Sequence, residues 1–374
     1  DSNDRANEAG RKSYLGGRTE AFHIGKVPEH LWCLDINSMY PYIMQTRPVP
    51  YRLATTRTKI EPHGLSQILD THSVVADVEL EVNEAAIPIR FEGRTTWPVG
   101  SFNAALTTPE LRYALDQGMI TKVHYAAIYH EAVIFSEYVD FFYSERLKAR
   151  NEGDTATEGM VKLFLTSLYG KFGQNGQKWE IVGRTDDNLI SHYQVWDSSQ
   201  QEMTQYRQFA GLIEKLEEKP ESRDSFPAIA SHITAYARMY LWELMKAAGL
   251  ENVYYVDTDS LMVNEEGYEA LRPRIDPSKL GALKVEWESD EVVINGLKDY
   301  SIDGKLKAKG IRKDAVQTAP GVFTQDQFRG IEGMIREGEL DRILIRTVSK
   351  TLLRKYLKGQ VMESGKVFPL RLLR

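Results

Sequence analysis

The stretch Val253–Val263, VYYVDTDSLMV, decides the interpretation of this chain. Two short apolar runs flank a turn that carries Asp257 and Asp259. Apolar runs bounded by turn-forming residues predict two strands joined as a tight hairpin, with both acids at its tip. A single aspartate in a turn is usually an Asx turn or a helix cap, so a catalytic interpretation requires other acids to converge there.

A second apolar run also ends in an acid. Leu31–Asp35, LWCLD, is predicted to be a buried strand that presents Asp35 at its C-terminal end. Pro41 disfavours continued strand pairing, so the chain is expected to turn just past this carboxylate. Carboxylates on separate rigid strands can bridge two divalent ions about 3.5 to 4 Å apart, which is what phosphoryl transfer needs. The sequence therefore predicts that Asp35 joins Asp257 and Asp259 in one catalytic metal site.

The remaining patterns indicate an α+β chain. Helices are predicted from Thr108, as the cap, to Gln117, over Phe135–Arg150, from a capping box at Thr155 and Glu158 to Gly170, and over Ile229–Ala248. The alternating run Val74–Val82 predicts a strand. Residues 175 to 226 are predicted to be a polar, irregular insertion with short strand-like runs. The basic C-terminal part, with a capping box at Thr324 and Gln327, is predicted to be mostly helical.

The composition is that of a globular protein long enough for two or three packed units. The chain has 374 residues, of which 42% are hydrophobic and 27% charged. No apolar stretch approaches the length of about 18 residues that a transmembrane span needs, and the start shows no signal-peptide core. Cys33 is the only cysteine, which excludes an internal disulfide. We therefore expect an intracellular protein with no membrane partner, in the cytoplasm of a bacterial or phage-infected cell or in an organelle.

Charge is polarised along the chain. Residues 298 to 374 contain 17 Lys and Arg against 9 Asp and Glu, a net charge of +8, whereas the remainder has 30 against 44, or -14. A basic segment on an acidic body can hold a phosphate backbone while carboxylates gather elsewhere around divalent metal. A solvated basic surface explains the same numbers, so charge alone leaves both interpretations open.

One predicted helix carries a second constellation. Lys162, Thr166 and Tyr169 fall at i, i+4 and i+7 and so share a face. A lysine there can hold a triphosphate, and a tyrosine can stack on a base or sugar. Arg146 and Arg150, at i and i+4 on the preceding helix, can reach the same phosphates. The structural alternatives are an exposed lysine over core aromatics and a solvated arginine face.

Six segments, in order along the chain, resemble the motifs of family B DNA polymerases. DINSMYP at 35–41 resembles motif A, KLFLTSLYG at 162–170 motif B, YVDTDS at 255–260 motif C, KDY at 298–300 the KxY element, KG at 309–310 the Lys-Gly element, and YLGG at 14–17 the YxGG motif. The resemblance implies an α+β fold of right-hand polymerase architecture, with an antiparallel-sheet palm, helical-hairpin fingers, a thumb and insertions.

The resemblance also implies roles for individual residues. Asp35 and Asp259 would be the principal metal ligands, and Ile36 would be a third metal-binding residue. Asp257 would be a supporting catalytic carboxylate. The incoming nucleotide would be bound by Ser38, Met39, Tyr40, Lys162, Tyr169, Arg146 and Arg150, of which Tyr40 would exclude a 2′ hydroxyl. DNA would be bound by Tyr14, Gly16, Gly17, Ser167, Gly170, Thr258, Lys298, Tyr300 and Lys309. The cofactor would be two Mg²⁺ ions, with Mn²⁺ as a substitute.

Spacing points to the protein-primed branch of that family, in which two insertions interrupt the motifs. About 120 residues separate motif A from motif B, and over 80 separate motif B from motif C. The expected division is palm at 1–60, a first terminal-protein-region-like insertion at 61–134, fingers at 135–175, a second such insertion at 176–226, palm at 227–300 and thumb at 301–374. The implied partners are primer-template DNA, deoxynucleoside triphosphates and a terminal protein that serves as primer, with synthesis that displaces a strand.

Two departures and two alternatives accompany the resemblance. Thr166 stands where motif B usually has Asn, which puts the hydrogen bonding around the nucleotide in doubt. About 30 residues precede the first palm strand, and the acids Asp77 and Glu79 alternate within a strand, so we expect no exonuclease active site in this chain. A palm-type primase or RNA-templated polymerase would pair similar acids, and an inactive DNA-binding scaffold is the alternative of another class.

Overall fold

The computed structural model of the protein describes residues 3–174, 176–187, 190–197, 202–219, 225–328 and 345–372. The helices in this part of the chain are α1 (Asp4–Ser13), α2 (Met39–Thr46), α3 (Pro62–Leu69), α4 (Thr108–Asp116), α5 (Ser136–Glu152), α6 (Thr155–Phe172), α7 (Pro227–Ala248) and α8 (Glu265–Leu271), with short 3₁₀ turns at Leu250–Asn252 and Arg272–Arg274.

The strands are numbered in chain order. They are β1 (Thr19–Ala21), β2 (Gly25–Lys26), β3 (Leu31–Ile36), β4 (Val49–Ile60), β5 (Ser73–Val82), β6 (Ile89–Phe91), β7 (Arg94–Thr96), β8 (Val99–Thr107), β9 (Ile120–Ala132), β10 (Gly176–Arg184), β11 (Ser191–Asp197), β12 (Glu202–Phe209), β13 (Leu212–Lys219), β14 (Val253–Asp257), β15 (Ser260–Val263), β16 (Leu283–Ser289), β17 (Val292–Gly296), β18 (Asp299–Ile302), β19 (Lys305–Ala308), β20 (Val316–Ala319), β21 (Val322–Phe328), β22 (Ile345–Thr351), β23 (Gly359–Val361), β24 (Val367–Pro369) and β25 (Arg371–Leu372).

The chain divides into two compact units. The first is built from described residues within Asp1–Gly173, Phe226–Lys307 and Lys355–Arg374, and the second from those within Gln174–Ser225 and Ala308–Arg354. None of the described helices is long and apolar enough to cross a membrane.

A five-stranded antiparallel sheet in the first unit carries the predicted acids. Its strand order is β1-β14-β15-β3-β16, so the predicted hairpin lies directly beside the predicted motif A strand. Alternation along β3 sends Leu34 and Ile36 into the main core, whereas Leu31 and Cys33 pack in a smaller cluster on the other face. Asp35 shares the second face, at the point where the strand ends.

A second five-stranded sheet has the order β25-β8-β5-β9-β4. Its last member, β25, lies parallel to β8, with Arg371 opposite Val99 and Leu372 opposite Gly100. Gly100 has φ +104°, and a Cβ on it would overlap the carbonyl oxygen of Leu372. Glycine is therefore required where the C-terminal strand meets this sheet.

Helix α7 is the central support of the first unit. It is buried along almost its whole length, and its apolar residues lie in the main core with those of α2, β3 and β15. A mostly apolar helix that is buried to this extent is expected only where other elements surround it. Since α7 leads directly into the hairpin strand β14, it fixes where the hairpin begins.

The second unit contains two antiparallel sheets. Residues predicted to be an irregular insertion form a four-stranded sheet in the order β10-β13-β12-β11. Strands β20, β21 and β22 form a three-stranded sheet. The prediction of a mostly helical C-terminal part is therefore wrong for the described residues. Thr324 and Gln327 lie in strand β21, where Thr324 pairs with Ser349, so they do not cap a helix. Cross-strand pairing outweighed a local capping pattern.

Two other predicted caps are displaced by one residue. The N-cap of α4 is Thr107, whose capping box with Glu110 is complete, and not Thr108. The N-cap of α6 is Asp154, whose side chain accepts a hydrogen bond from the Thr157 N–H. Glu158 binds arginine on α5, so the predicted Thr155 and Glu158 box is wrong.

Candidate active site

The structure brings Asp35 and Asp259 together. The N–H of Ile36 donates to the carbonyl oxygen of Asp259 at 2.7 Å, and Asp35 is the register partner of Ser260. Asp259 lies between the two strands of the hairpin, so a single backbone hydrogen bond ties its turn to the end of β3. Ile36 itself is fully buried, which leaves only its backbone to contribute to the site.

Burial sets the electrostatics of this pair. It is the main cause that raises the pKa of Asp259 to about 6, and the negative charge of Asp35 raises it further. Two partly desolvated carboxylates side by side suit a divalent cation that prefers oxygen ligands. Among the described residues no group of three or more His, Cys, Asp and Glu could hold a metal. Magnesium still fits, because it takes few protein carboxylates and completes its shell with water and phosphate oxygens.

Asp257 has a different environment from the other two acids. Its carboxylate accepts hydrogen bonds from Lys298 Nζ, 2.7 Å from Oδ2, and from the Thr19 hydroxyl at 3.0 Å. The side chain of Thr258 lies 3.3 Å from the same oxygen as Thr19. Asp257 therefore joins the predicted KxY lysine to the hairpin.

The predicted YxGG segment packs against the hairpin turn. The N–H of Thr258 donates to the carbonyl of Arg18 at 2.6 Å, and Thr258 has a positive φ of 63°. A Cβ on Gly17 would lie 2.7 Å from the Thr258 methyl carbon, so glycine is required there. Gly16 presents its carbonyl to Arg238 of α7. The turn that carries Asp259 is thus held from behind by this segment.

The helical hairpin α5 and α6 meets the start of α2. Arg146 Nη1 donates to the Ser38 hydroxyl at 3.0 Å, and its Nε lies 3.5 Å from Glu158. Arg150 donates to the same Glu158 oxygen at 2.6 Å. Ser38 has φ 53° and makes no side-chain cap to α2. Both predicted nucleotide-binding arginines are therefore held by one glutamate.

Two tyrosines predicted to contact the nucleotide stack on each other. The ring centroids of Tyr40 and Tyr169 are 4.4 Å apart, with 24° between the ring planes. Burial raises the pKa of both phenols. Tyr14 packs on the C-terminal end of α6. A Cβ on Gly173, the C-cap of that helix, would lie only 2.5 Å from the Tyr14 ring. Met39, predicted beside Tyr40, is buried in the main core, so its side chain does not reach the surface.

The other predicted residues of α6 are exposed. Lys162 and Ser167 face solvent, and a Cβ on Gly170 would meet no atom within 4 Å. The Thr166 hydroxyl donates to the Lys162 carbonyl at 2.9 Å, so it binds its own helix instead of extending from it. The departure from the motif B pattern therefore replaces an extended carboxamide with a hydroxyl that is already satisfied.

The last two predicted residues lie in different units. Tyr300 packs against Tyr255 with ring centroids 5.6 Å apart, and burial raises its pKa to about 12. Lys309 belongs to the second unit, in the exposed turn after β19.

Several residues near the acids were missed from sequence. Lys284 lies 2.9 Å from Asp35, and Lys358 Nζ donates to the carbonyl of Thr19. Arg238 forms a buried ion pair with Glu110 at 2.6 Å, with the two side chains 2% and 1% exposed. The arginine within a long apolar helix was a usable signal, since a buried charge requires a partner.

The comparisons with known proteins agree with this geometry. A family model described as DNA polymerase type B, organellar and viral, matches residues 2–248. The chain belongs to this family. Polymerases of the family use divalent metal ions, and the type B chain described here presents two carboxylates at the expected strand ends.

Phage DNA polymerases are similar to this chain over most of its length. A DNA-directed DNA polymerase of Enterobacteria phage PRD1 is 27% identical over 299 residues, which cover 79% of this chain and 50% of that protein. A DNA polymerase of Bacillus phage Nf is 23% identical, over 79% of this chain and 51% of that protein. This type B chain spans about half the length of these phage relatives.

The fold is that of Phi29 DNA polymerase. Its complex with primer-template DNA and incoming nucleotides matches with a TM-score of 0.64 at 18% identity, over 93% of this chain and 63% of that one. The expected α+β right-hand polymerase architecture is confirmed by this match.

Proposed function

We propose that this chain is the polymerising part of a DNA-dependent DNA polymerase. It adds deoxynucleotides to a primer 3′ end, on a template, by phosphoryl transfer. The observation that carries the proposal is the hydrogen bond of 2.7 Å from the Ile36 N–H to the Asp259 carbonyl, because it joins the end of the strand that carries Asp35 to the hairpin turn that carries Asp259.

Asp35, Asp259 and the backbone of Ile36 would hold two divalent ions, Mg²⁺ with Mn²⁺ as a substitute. When bound, such ions lower the pKa of a 3′ hydroxyl and neutralise charge on the triphosphate and pyrophosphate. The raised pKa of Asp259 supports this assignment, since a buried carboxylate beside another gains most from a cation.

The chain's own residues orient the substrates. Lys162, Arg146 and Arg150 contact the triphosphate, with Ser38 and the Met39 backbone beside it, and Glu158 holds the arginines until phosphate replaces it. Tyr40 lies against the sugar, and Tyr169 lies against the nascent base pair. Primer and template are contacted by Tyr14, Gly16, Gly17, Ser167, Gly170, Thr258, Lys298, Tyr300 and Lys309.

The protein-primed branch is the best account of the insertions. We assign residues 61–134 and 176–226 to the two terminal-protein-region insertions of that branch, and the match to an organellar and viral family model and to phage polymerases supports the branch. The palm then comprises 1–60 and 227–300, the fingers 135–175 and the thumb 301–374. A terminal protein as primer and synthesis with strand displacement belong to this proposal. An intracellular location, where deoxynucleotides are supplied, is also part of it.

Extension of a primed circular template with Mg²⁺ tests the function. We expect full-length synthesis by the wild-type chain, and a loss of roughly three orders of magnitude in Asp259→Asn, since several kcal/mol of charge stabilisation depend on the ligand. Asp70→Asn, at an exposed helix end, is the matched control and should retain activity. The same assay with ribonucleotides distinguishes a primase, which would incorporate them. Synthesis that persists in Asp259→Asn would contradict the proposed role of that residue.

A further inference from the structure

Lys284 is the cross-strand neighbour of Asp35. Its Nζ lies 2.9 Å from Asp35 Oδ2, and the two residues are register partners in β16 and β3. The Lys284 side chain is 42% exposed, whereas that of Asp35 is 21% exposed. The charge of Lys284 also lowers the pKa of Asp259, against burial and the charge of Asp35. One ammonium group therefore acts on both acids.

A cation at this position has a clear electrostatic reason. Asp35 and Asp259 are both partly withdrawn from water, and two like charges in such surroundings destabilise each other. The backbone pairing of β16 with β3 tethers Lys284 beside Asp35. Its flexible four-carbon stem and compact charge still allow the ammonium to leave and be solvated.

We propose that Lys284 is a tethered counter-cation, which occupies Asp35 in the metal-free protein and must be displaced by a divalent ion. The inference rests on the proposed function only in taking Asp35 and Asp259 as metal ligands. Lys284 thereby sets the metal affinity of the site, and it keeps the carboxylate pair compensated when no metal is bound.

This role predicts an order of metal affinities. Lys284→Met removes the competing charge and nearly preserves the stem, so metal should bind more tightly by a factor of roughly two to ten, as for loss of one partly exposed ion pair. Lys284→Arg keeps the charge and can bind a carboxylate through two nitrogens, so metal should bind more weakly than in the wild type. If Lys284 had only a structural role, the two substitutions would not change metal affinity in opposite directions.

The measurement is titration of Mn²⁺ into the full chain without DNA or nucleotide, with free Mn²⁺ followed by its paramagnetic resonance signal. Lys26→Met, an exposed lysine on β2, is the matched control and should bind as the wild type does. Asp35→Asn identifies the titrated site, because it should lose the binding. Lys284→Gln is a second neutral variant should Lys284→Met fold poorly, and thermal unfolding in chelator and in Mn²⁺ checks each protein.

The outcomes separate this inference from the proposed function. An Mn²⁺ affinity that falls from Lys284→Met through the wild type to Lys284→Arg supports the counter-cation, whatever primer extension shows. Equal or weaker Mn²⁺ binding by both neutral variants overturns it, even if the wild-type chain polymerises. Failure of wild-type extension with the predicted order intact would count against the polymerase and not against Lys284.

Discussion

Lys298 binds both carboxylate oxygens of Asp257, with its Nζ 2.7 Å from Oδ2. Lys298 directly precedes β18, so the pair links the start of that strand to the hairpin that carries Asp259. Lys298 has a positive φ of 56°, and its N–H donates to the Tyr255 hydroxyl at 2.7 Å, so its backbone is fixed from the same hairpin.

This pair should act as a unit in primer extension. We expect Asp257→Asn and Lys298→Met each to lower kcat, and the double variant to be little worse than the poorer single one. The coupling energy between residues in contact is on the order of 1 kcal/mol. Single-nucleotide extension by the four proteins measures it, and strictly additive effects would show that the contact has no part in catalysis.

Tyr40 should exclude ribonucleotides through the bulk of its ring. Tyr40→Val opens the space beside Tyr169, so discrimination against a 2′ hydroxyl should fall by on the order of 10- to 100-fold. Tyr40→Phe keeps the ring and is the matched control. The ratio of kcat/KM for the two nucleotide types checks this, and unchanged discrimination in Tyr40→Val would remove the assigned role.

Gly170 should be required by DNA and not by the protein's own packing. A Cβ there meets nothing within 4 Å, and the same is true of Gly159 earlier in α6. Both Gly→Ala changes should therefore stabilise the helix, by about 1 kcal/mol each. Only Gly170→Ala should weaken primer-template binding, measured by fluorescence anisotropy at fixed salt. Equal DNA affinity of the two variants would argue against a DNA contact at Gly170.

His232 should make stability fall in mild acid. Its Nδ1 lies 2.7 Å from the carbonyl of Ala228, which can only accept, so Nδ1 carries the proton and Nε2, 3.1 Å from the Thr108 hydroxyl, is the acceptor. Burial lowers the pKa of His232 to about 4, below the ordinary value of about 6.5 in the unfolded chain. The unfolded state therefore binds the extra proton first as the pH falls.

The contribution of His232 is fully present above about pH 6.5 and is lost as the pH falls towards 4. From about pH 7.5 to 5 it should lower the free energy of unfolding by about 2 kcal/mol. Urea unfolding across this range measures the loss. His232→Gln should flatten the dependence, whereas His63→Gln, at an exposed position, should leave it unchanged. The same slope in His232→Gln would assign the effect to other groups.

The buried pair of Arg238 and Glu110 should be costly to break. Arg238→Met leaves Glu110 buried and unpaired, which should destabilise the protein by roughly 3 to 5 kcal/mol. Arg272→Met breaks an exposed pair with Glu269, at 3.1 Å, and should cost less than about 1 kcal/mol. Thermal unfolding of both variants gives the comparison, and similar losses in the two would contradict it.

The sequence predicted the acid-bearing strands because their signals are local. Apolar runs that end in aspartate predicted Asp35 and Asp257 at strand ends, with Asp259 in the hairpin turn, and alternation predicted the strand Val74–Val82, which lies in β5. The helical hairpin was also predicted within about two residues, since turn-forming residues separate its two halves.

Long-range pairing could not be predicted in the same way. Lys284 lies in an alternating stretch with nothing to mark it, and it gains its role only when β16 pairs with β3. The C-terminal part was predicted to be mostly helical, with a capping box at Thr324 and Gln327, because a capping pattern is local, whereas the pairing of β21 with β22 joins residues far apart in sequence. Thr166 was placed in the correct helix, but only the structure shows its hydroxyl bound to Lys162.

The pairing of β25 with β8 bears on how the molecule is made. Arg371 and Leu372 add a strand to a sheet whose other members span Val49 to Ala132, so that sheet is complete only after a long stretch of intervening chain has been synthesised. During synthesis the edge of β8 beside Gly100 stays open for the time that some 270 further residues take to appear. Chaperone contact with the nascent polypeptide is most useful during this interval, and slow codons near its end would prolong the exposure.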